Sequence, residues 1–215
     1  MRIQMTFVLA ATLVSTGFGA GAHAAVVEKD VFIGKQAATS FSGTATITCA
    51  DGSSGTVSAL GFLSGSEQFS KQTGTPKTFS NGVFVEIDSY FNDCTGASLG
   101  FSDAGIANGF TPPNKRLNSA GLEGTALVQD FDTGAQIPVV IDIVIQGTGP
   151  LTASKSSSKT KTLHPLTITI NKSSNANRAG VASGTISIDG VQLDTTFSAT
   201  TLSDNASFDL TIEKK

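Results

Sequence analysis

The chain has 215 residues, 14% of them charged, and a formal net charge of −3. Its fourteen basic residues do not outnumber the seventeen acidic ones, and no dense basic stretch offers the cationic face that a phosphate backbone requires, so nucleic acid is not expected as a partner. Tryptophan is absent and the only tyrosine is Tyr90, while Gly, Ser, Thr and Phe are frequent, a composition suited to short strands joined by turns.

The N-terminus reads MRIQMTFVLAATLVSTGFGAGAHAAVVEKD. Arg2 supplies a positive start, Phe7 to Val14 an apolar stretch, and Ala22-His23-Ala24 a small-residue cleavage site. Residues 1–24 are therefore predicted to be a signal peptide, and 25–215 a single β-sandwich domain of 191 residues. The apolar run is shorter than the roughly 20 residues that a membrane-spanning helix needs. No membrane span is expected, and no cysteine follows the cleavage site to carry a lipid. The expected location is the periplasm, the cell surface or the exterior.

After the signal, no stretch carries an apolar period of 3.6 over the length of a helix. Strands are predicted at 41–49, 55–63, 83–91, 121–131, 136–146, 166–171 and 206–213. In 83–91 the alternation places Val83, Val85, Ile87 and Ser89 on one face and Phe84, Glu86, Asp88 and Tyr90 on the other. The segment 102–121 reads as irregular, since Pro112-Pro113 breaks any regular strand. ASKSSSKTKTLH, with Lys155, Lys159 and Lys161, reads as a solvated loop. The clearest local signal is GTISIDGVQLDTTF. Asp189-Gly190 suits a two-residue type I′ turn. It pairs Ile188 with Val191, Ile186 with Leu193 and Gly184 with Thr195, and puts the aliphatic side chains on one face. Eight to ten such strands imply an all-β, antiparallel β-sandwich, Ig-like or jelly-roll-like, with one disulfide.

The two cysteines are Cys49 and Cys94. A zinc site wants four ligands, and the mature chain adds only His164. A thiol nucleophile wants a histidine or another cationic partner, and His164 is the only histidine of the mature chain. In an exported chain an even pair of cysteines most simply forms a disulfide, here predicted between neighbouring strands.

Several short motifs carry chemistry in other settings. Asp-Thr-Gly-Ala at 132–135 matches the catalytic turn of aspartic proteases, but no second copy supplies the partner carboxylate. It reads as a hairpin tip, as does the Asp130/Asp132 pair that would offer oxygen to calcium. Ser156 and Lys159 form an S-x-x-K without companion motifs. Glu86, Asp88 and Glu123 would have to converge to act as paired carboxylates, and no tryptophan platform for a sugar exists. Asn171 and Asn205 head glycosylation sequons. A transmembrane β-barrel would show aromatic girdles, which one tyrosine cannot build. No catalytic, cofactor-binding or metal-binding residue is predicted, and no cofactor.

GTATITC before Cys49 and VFVEIDSYFNDC before Cys94 resemble the cysteine-bearing strands of chaperone–usher pilin subunits over residues 25–96. The resemblance implies that AVVEKDVFIGKQ is an N-terminal extension donated to a neighbouring subunit by strand addition. The end of the chain departs from that pattern, because Lys214 stands where pilins commonly carry a penultimate aromatic residue. The expected function is non-catalytic: an exported β-sandwich protein with a structural or adhesive role at the cell surface, a fimbrial subunit being one form of it. The alternative is a periplasmic or secreted ligand-binding module, or a hydrolase whose site the sequence hides.

Overall fold

A computed structural model describes residues 25–100, 103–129, 134–163 and 166–214. The predicted signal peptide (1–24), Asp130, Asp132 and His164 lie outside the described residues. The described chain is all-β and its sheet pairings are antiparallel. The strands are β1 (Ala25–Thr48), β2 (Ser54–Gln72), β3 (Thr78–Asn92), β4 (Ser98–Leu99), β5 (Asp103–Ala107) and β6 (Phe110–Thr111). They continue as β7 (Ser119–Gln129), β8 (Gln136–Gly147), β9 (Thr152–Leu163), β10 (Leu166–Ile188), β11 (Val191–Gln192) and β12 (Asp194–Lys214).

The backbone pairing runs in a circuit. β1 lies between β12 and β2, β2 pairs β3, β3 pairs β5, β5 pairs β7, and β7 pairs β8. β10 closes the ring by changing partners along its length: residues 167–179 pair β12, and residues 180–188 pair β8. The result is a two-layered sandwich whose layers share strands at their edges. One layer contributes Phe41, Val57, Leu63, Val83, Val85 and Ile87 to the core. The other contributes Leu122, Val128, Ile141, Ile143, Ile186 and Ile188, and all twelve side chains are at most 2% exposed. The alternating burial of β8 is the period-two pattern that its sequence predicts.

Turn chemistry closes the strands locally. After β1, Gly52 takes φ 84° and the Asp51 carboxylate accepts from the backbone and hydroxyl of Ser53 at 2.9 and 2.6 Å. At the predicted type I′ turn, Asp189 and Gly190 take φ 52° and 77°, as both central positions of that turn demand.

Four expectations are corrected. The first concerns the turn's hairpin, which is shorter than predicted. Ile188 pairs Val191, and the Leu193 amide donates to the Ile186 carbonyl at 2.9 Å. Beyond that the strands part: Gly184 pairs Ile143 and Thr195 pairs Gly43. Each strand gains a longer partner elsewhere than it would find across the turn.

Second, the alternation of 83–91 does not persist. Leu60 pairs Ser89 and Gly61 pairs Ile87, leaving Asp88 as the extra residue of a β-bulge. Val83, Val85 and Ile87 face the core as predicted, but past the bulge Tyr90 and Asn92 turn inward and Ser89 outward.

Third, the segment ASKSSSKTKTL (153–163) is not a loop. It forms β9, paired to β10 from Thr152 with Asn177 to Leu163 with Leu166. Ser and Thr tolerate extended backbone, and β10 supplies the ladder that fixes it. Within 102–121, β5 and β6 likewise form on β3 and β7.

Fourth, Cys49 and Cys94 are disulfide-bonded with Cα atoms 5.1 Å apart, but they do not join neighbouring strands. They follow β1 and β3, which flank β2. The bridge passes over Gly55, where a Cβ would lie 2.5 Å from Cys94 Sγ and 2.9 Å from Cys49 Sγ.

Candidate binding surface

One half of the wider layer has no second layer over it. The outer parts of β1 (25–36), β2 (66–72), β9, β10 (166–179) and β12 (203–214) continue the sheet beyond the sandwich. Among the described side chains of this extension, none belongs to the buried apolar core.

The two faces of the extension differ in chemistry. On the face continuous with the core, β1 places Val27, Val31 and Ile33, and β12 places Phe208, Leu210 and Ile212. β10 adds Ile168 and Ile170, and β2 adds Phe69. These side chains are half-buried or exposed, with Val27 46% and Ile33 38% accessible. The same alternation puts Lys29, Lys35 and Lys71 on this face, with Lys172 from β10 and Lys155, Lys159 and Lys161 from β9. Two carboxylates, Glu67 and Asp204, join them. The opposite face carries Glu28, Asp30, Asp209 and Glu213, with the exposed ring of Phe32, among Ser, Thr, Asn and Gln side chains. In Glu28-Lys29-Asp30 the sign of charge therefore alternates with the strand period of two.

The inner face is hollowed. Val31, Ile33, Lys155, Lys172 and Phe208 border a cavity of about 510 Å³. A second, of about 690 Å³, lies nearer the sandwich against Ile33, Lys35, Phe69, Leu151 and Ala153. Ile33, Lys155, Ser174 and Ala206 border both, so the two form one trough. Lys29 Nζ lies 5.6 Å from the centre of the Phe208 ring, within the range of a cation–π contact. At the base of the extension Arg178 donates to the Arg116 carbonyl, the Asn118 side chain and the Gly149 carbonyl at 3.0–3.2 Å, tying the 116–118 loop to the sheet.

Among the described residues, those singled out from sequence are dispersed. Ser156 and Lys159 are three apart on a strand and so occupy opposite faces. Ser156 Oγ instead meets Ser173 Oγ at 2.7 Å. Glu86 aligns through Ala104 with Gln129, whereas Glu123 lies six residues, about 20 Å, along β7. Asn171 and Asn205 both sit on the polar face of the extension. Local sequence does not reveal the trough, because the Ser- and Lys-rich composition of β9 is that of a solvated loop. The available signal was the sign alternation in 28–30 and the one-sided spacing of Lys155, Lys159 and Lys161.

No family model matches the chain, and neither a curated protein nor a solved structure matches it.

Proposed function

We propose that this is an exported, non-catalytic β-sandwich protein with a structural or adhesive role at the cell surface, assembling by exchange of its N-terminal strand in the manner of a fimbrial subunit. One observation carries the reading. Residues 30–36 of β1 are paired on both edges, to β12 and to β2, yet contribute no apolar side chain to the buried core. The segment is held by backbone hydrogen bonds, which an identical segment from another copy would reproduce bond for bond. Exchange would therefore cost little in contacts and would link copies through a shared sheet. That the Ser-Lys and carboxylate motifs fail to converge supports a role without catalysis.

The experiment is size exclusion of protein recovered from the exported fraction, under native conditions and after denaturation. A ladder of species that collapses on denaturation, and that deletion of 25–36 abolishes, is the expected result. A clean monomer at every concentration overturns strand exchange and favours a ligand-binding module. Turnover in panels of peptidase, esterase or glycosidase substrates overturns the non-catalytic reading.

A further inference from the structure

We infer that the trough on the inner face of the extension binds a single-chain amphiphile with an anionic head, its hydrocarbon tail along the apolar floor and its head among the lysines. This goes beyond strand exchange and does not depend on it, since the trough has the same walls whichever copy supplies residues 25–36.

The floor is the first argument. Val31, Ile33, Phe69, Ile170 and Phe208 continue the core face of the sandwich beyond the point where a second layer covers it. Apolar surface of this kind gains from being removed from water. The two joined hollows, about 510 and 690 Å³, fall in the range typical of small-molecule sites, roughly 300–1,000 Å³.

Charge selects the occupant. Among the described residues, the inner face of the extension gathers seven lysines and two carboxylates, and the outer face four carboxylates and no lysine. The chain as a whole is acidic, so this sorting works against its overall charge. Lysine stems can lie on the apolar floor while their ammonium groups stay hydrated, as the Lys29–Phe208 contact illustrates. A hydrocarbon with an acid head satisfies both features at once. A second copy docked face to face would set lysine against lysine. A copy stacked head to tail would set carboxylates near the lysines and offer the Phe32 ring, but would press the Ser, Thr, Asn and Gln side chains of the outer face on the apolar floor, leaving their polar groups without water.

The test is calorimetric titration of protein recovered from the exported fraction, its N-terminus verified, with dodecanoate below its micelle concentration. Dodecyltrimethylammonium, dodecyl maltoside and butyrate serve as head and tail controls. Saturable binding of dodecanoate is expected, with the cationic and neutral amphiphiles at least ten-fold weaker and butyrate silent. Lys155→Glu/Lys172→Glu should weaken dodecanoate at least ten-fold while melting like the parent, because both lysines are exposed. Asp209→Asn, on the opposite face, should leave binding unchanged. Equal affinity for the three heads, or full binding by the lysine variant, overturns the assignment. Binding to anionic phosphatidylglycerol vesicles without binding to monomeric dodecanoate overturns it in favour of a membrane surface. Self-association that lysine reversal abolishes, again without dodecanoate binding, overturns it in favour of a second copy.

Discussion

The hydroxyls of Thr39 and Thr200 lie 2.8 Å apart, and the two residues are 0% and 8% exposed. They sit where β12 carries one residue more than β1: Ala38 pairs Thr201 and Ser40 pairs Ser198. Ala199, in the bulge, takes φ 50°. The extra residue reverses the alternation of β12, so Leu202 and Leu193 both reach the core although their spacing is odd. The buried hydroxyl pair therefore marks the junction between sandwich and extension. Thr39→Val should cost about 1–3 kcal/mol, because the Thr200 hydroxyl loses its partner away from water. Thr39→Val/Thr200→Val should recover part of that loss. Urea unfolding of the cycle checks it; additive losses would mean that the hydroxyls do not act together.

The Cys49–Cys94 bridge over Gly55 sets a second expectation. Removing both cysteines opens a closed loop of 45 residues, a loss of about 4 kcal/mol in the chain-entropy model. Gly55→Ala in the disulfide-bonded protein should cost about 1–3 kcal/mol by overpacking against both sulfurs. In a Cys49→Ala/Cys94→Ala background the same substitution should cost clearly less. Equal penalties in the two backgrounds would show that the sulfurs are not what the methyl meets.

Tyr90 is 1% exposed, and among the described residues its hydroxyl has no partner within hydrogen-bonding geometry. Burial pushes its phenol above the ordinary value of 10.0, with the nearby Asn92 side chain opposing the shift. Tyr90→Phe should therefore leave stability at neutral pH unchanged or improved, because it removes a buried polar atom that gains no bond. The folded phenol keeps its proton to higher pH than the unfolded one. Its contribution is complete below the unfolded value near 10 and is lost as pH rises through the higher folded value. Denaturant melts across that window should show a flatter alkaline decline for Tyr90→Phe, and an unaltered decline would contradict the assignment.

The turn at 189–190 gives a graded series. Gly190 stands at φ 77°, so Gly190→Val should cost about 1–3 kcal/mol in backbone strain. Leu193, 4% exposed, should cost about 2–5 kcal/mol as Leu193→Ala. Thr185 is exposed on the other face, and Thr185→Ala should stay within about 0.5 kcal/mol of the parent. Equal losses at Leu193 and Thr185 would contradict the face assignment.

The sequence alone determined what depends on near neighbours. Period-two alternation marked the all-β class and the inward residues Val83, Val85, Ile87, Ile186 and Leu193, since a strand sends successive side chains to opposite sides. Asp189-Gly190 announced its turn, because few dipeptides accept two positive φ angles in a row. An even pair of cysteines, with no metal-ligand spacing around them, pointed to one disulfide. Only the tertiary structure decided what depends on distant partners. The bulges at Asp88 and Ala199 arise from register between strands far apart in sequence, and each flips the face of every residue that follows. β9 is a strand because β10 lies beside it; its own serines and lysines carry no apolar alternation to announce it. The trough exists because β9, β10, β12, β1 and β2 align their apolar and lysine rows on one side while no second layer covers them, and alternation within a single strand cannot say whether its apolar face is covered.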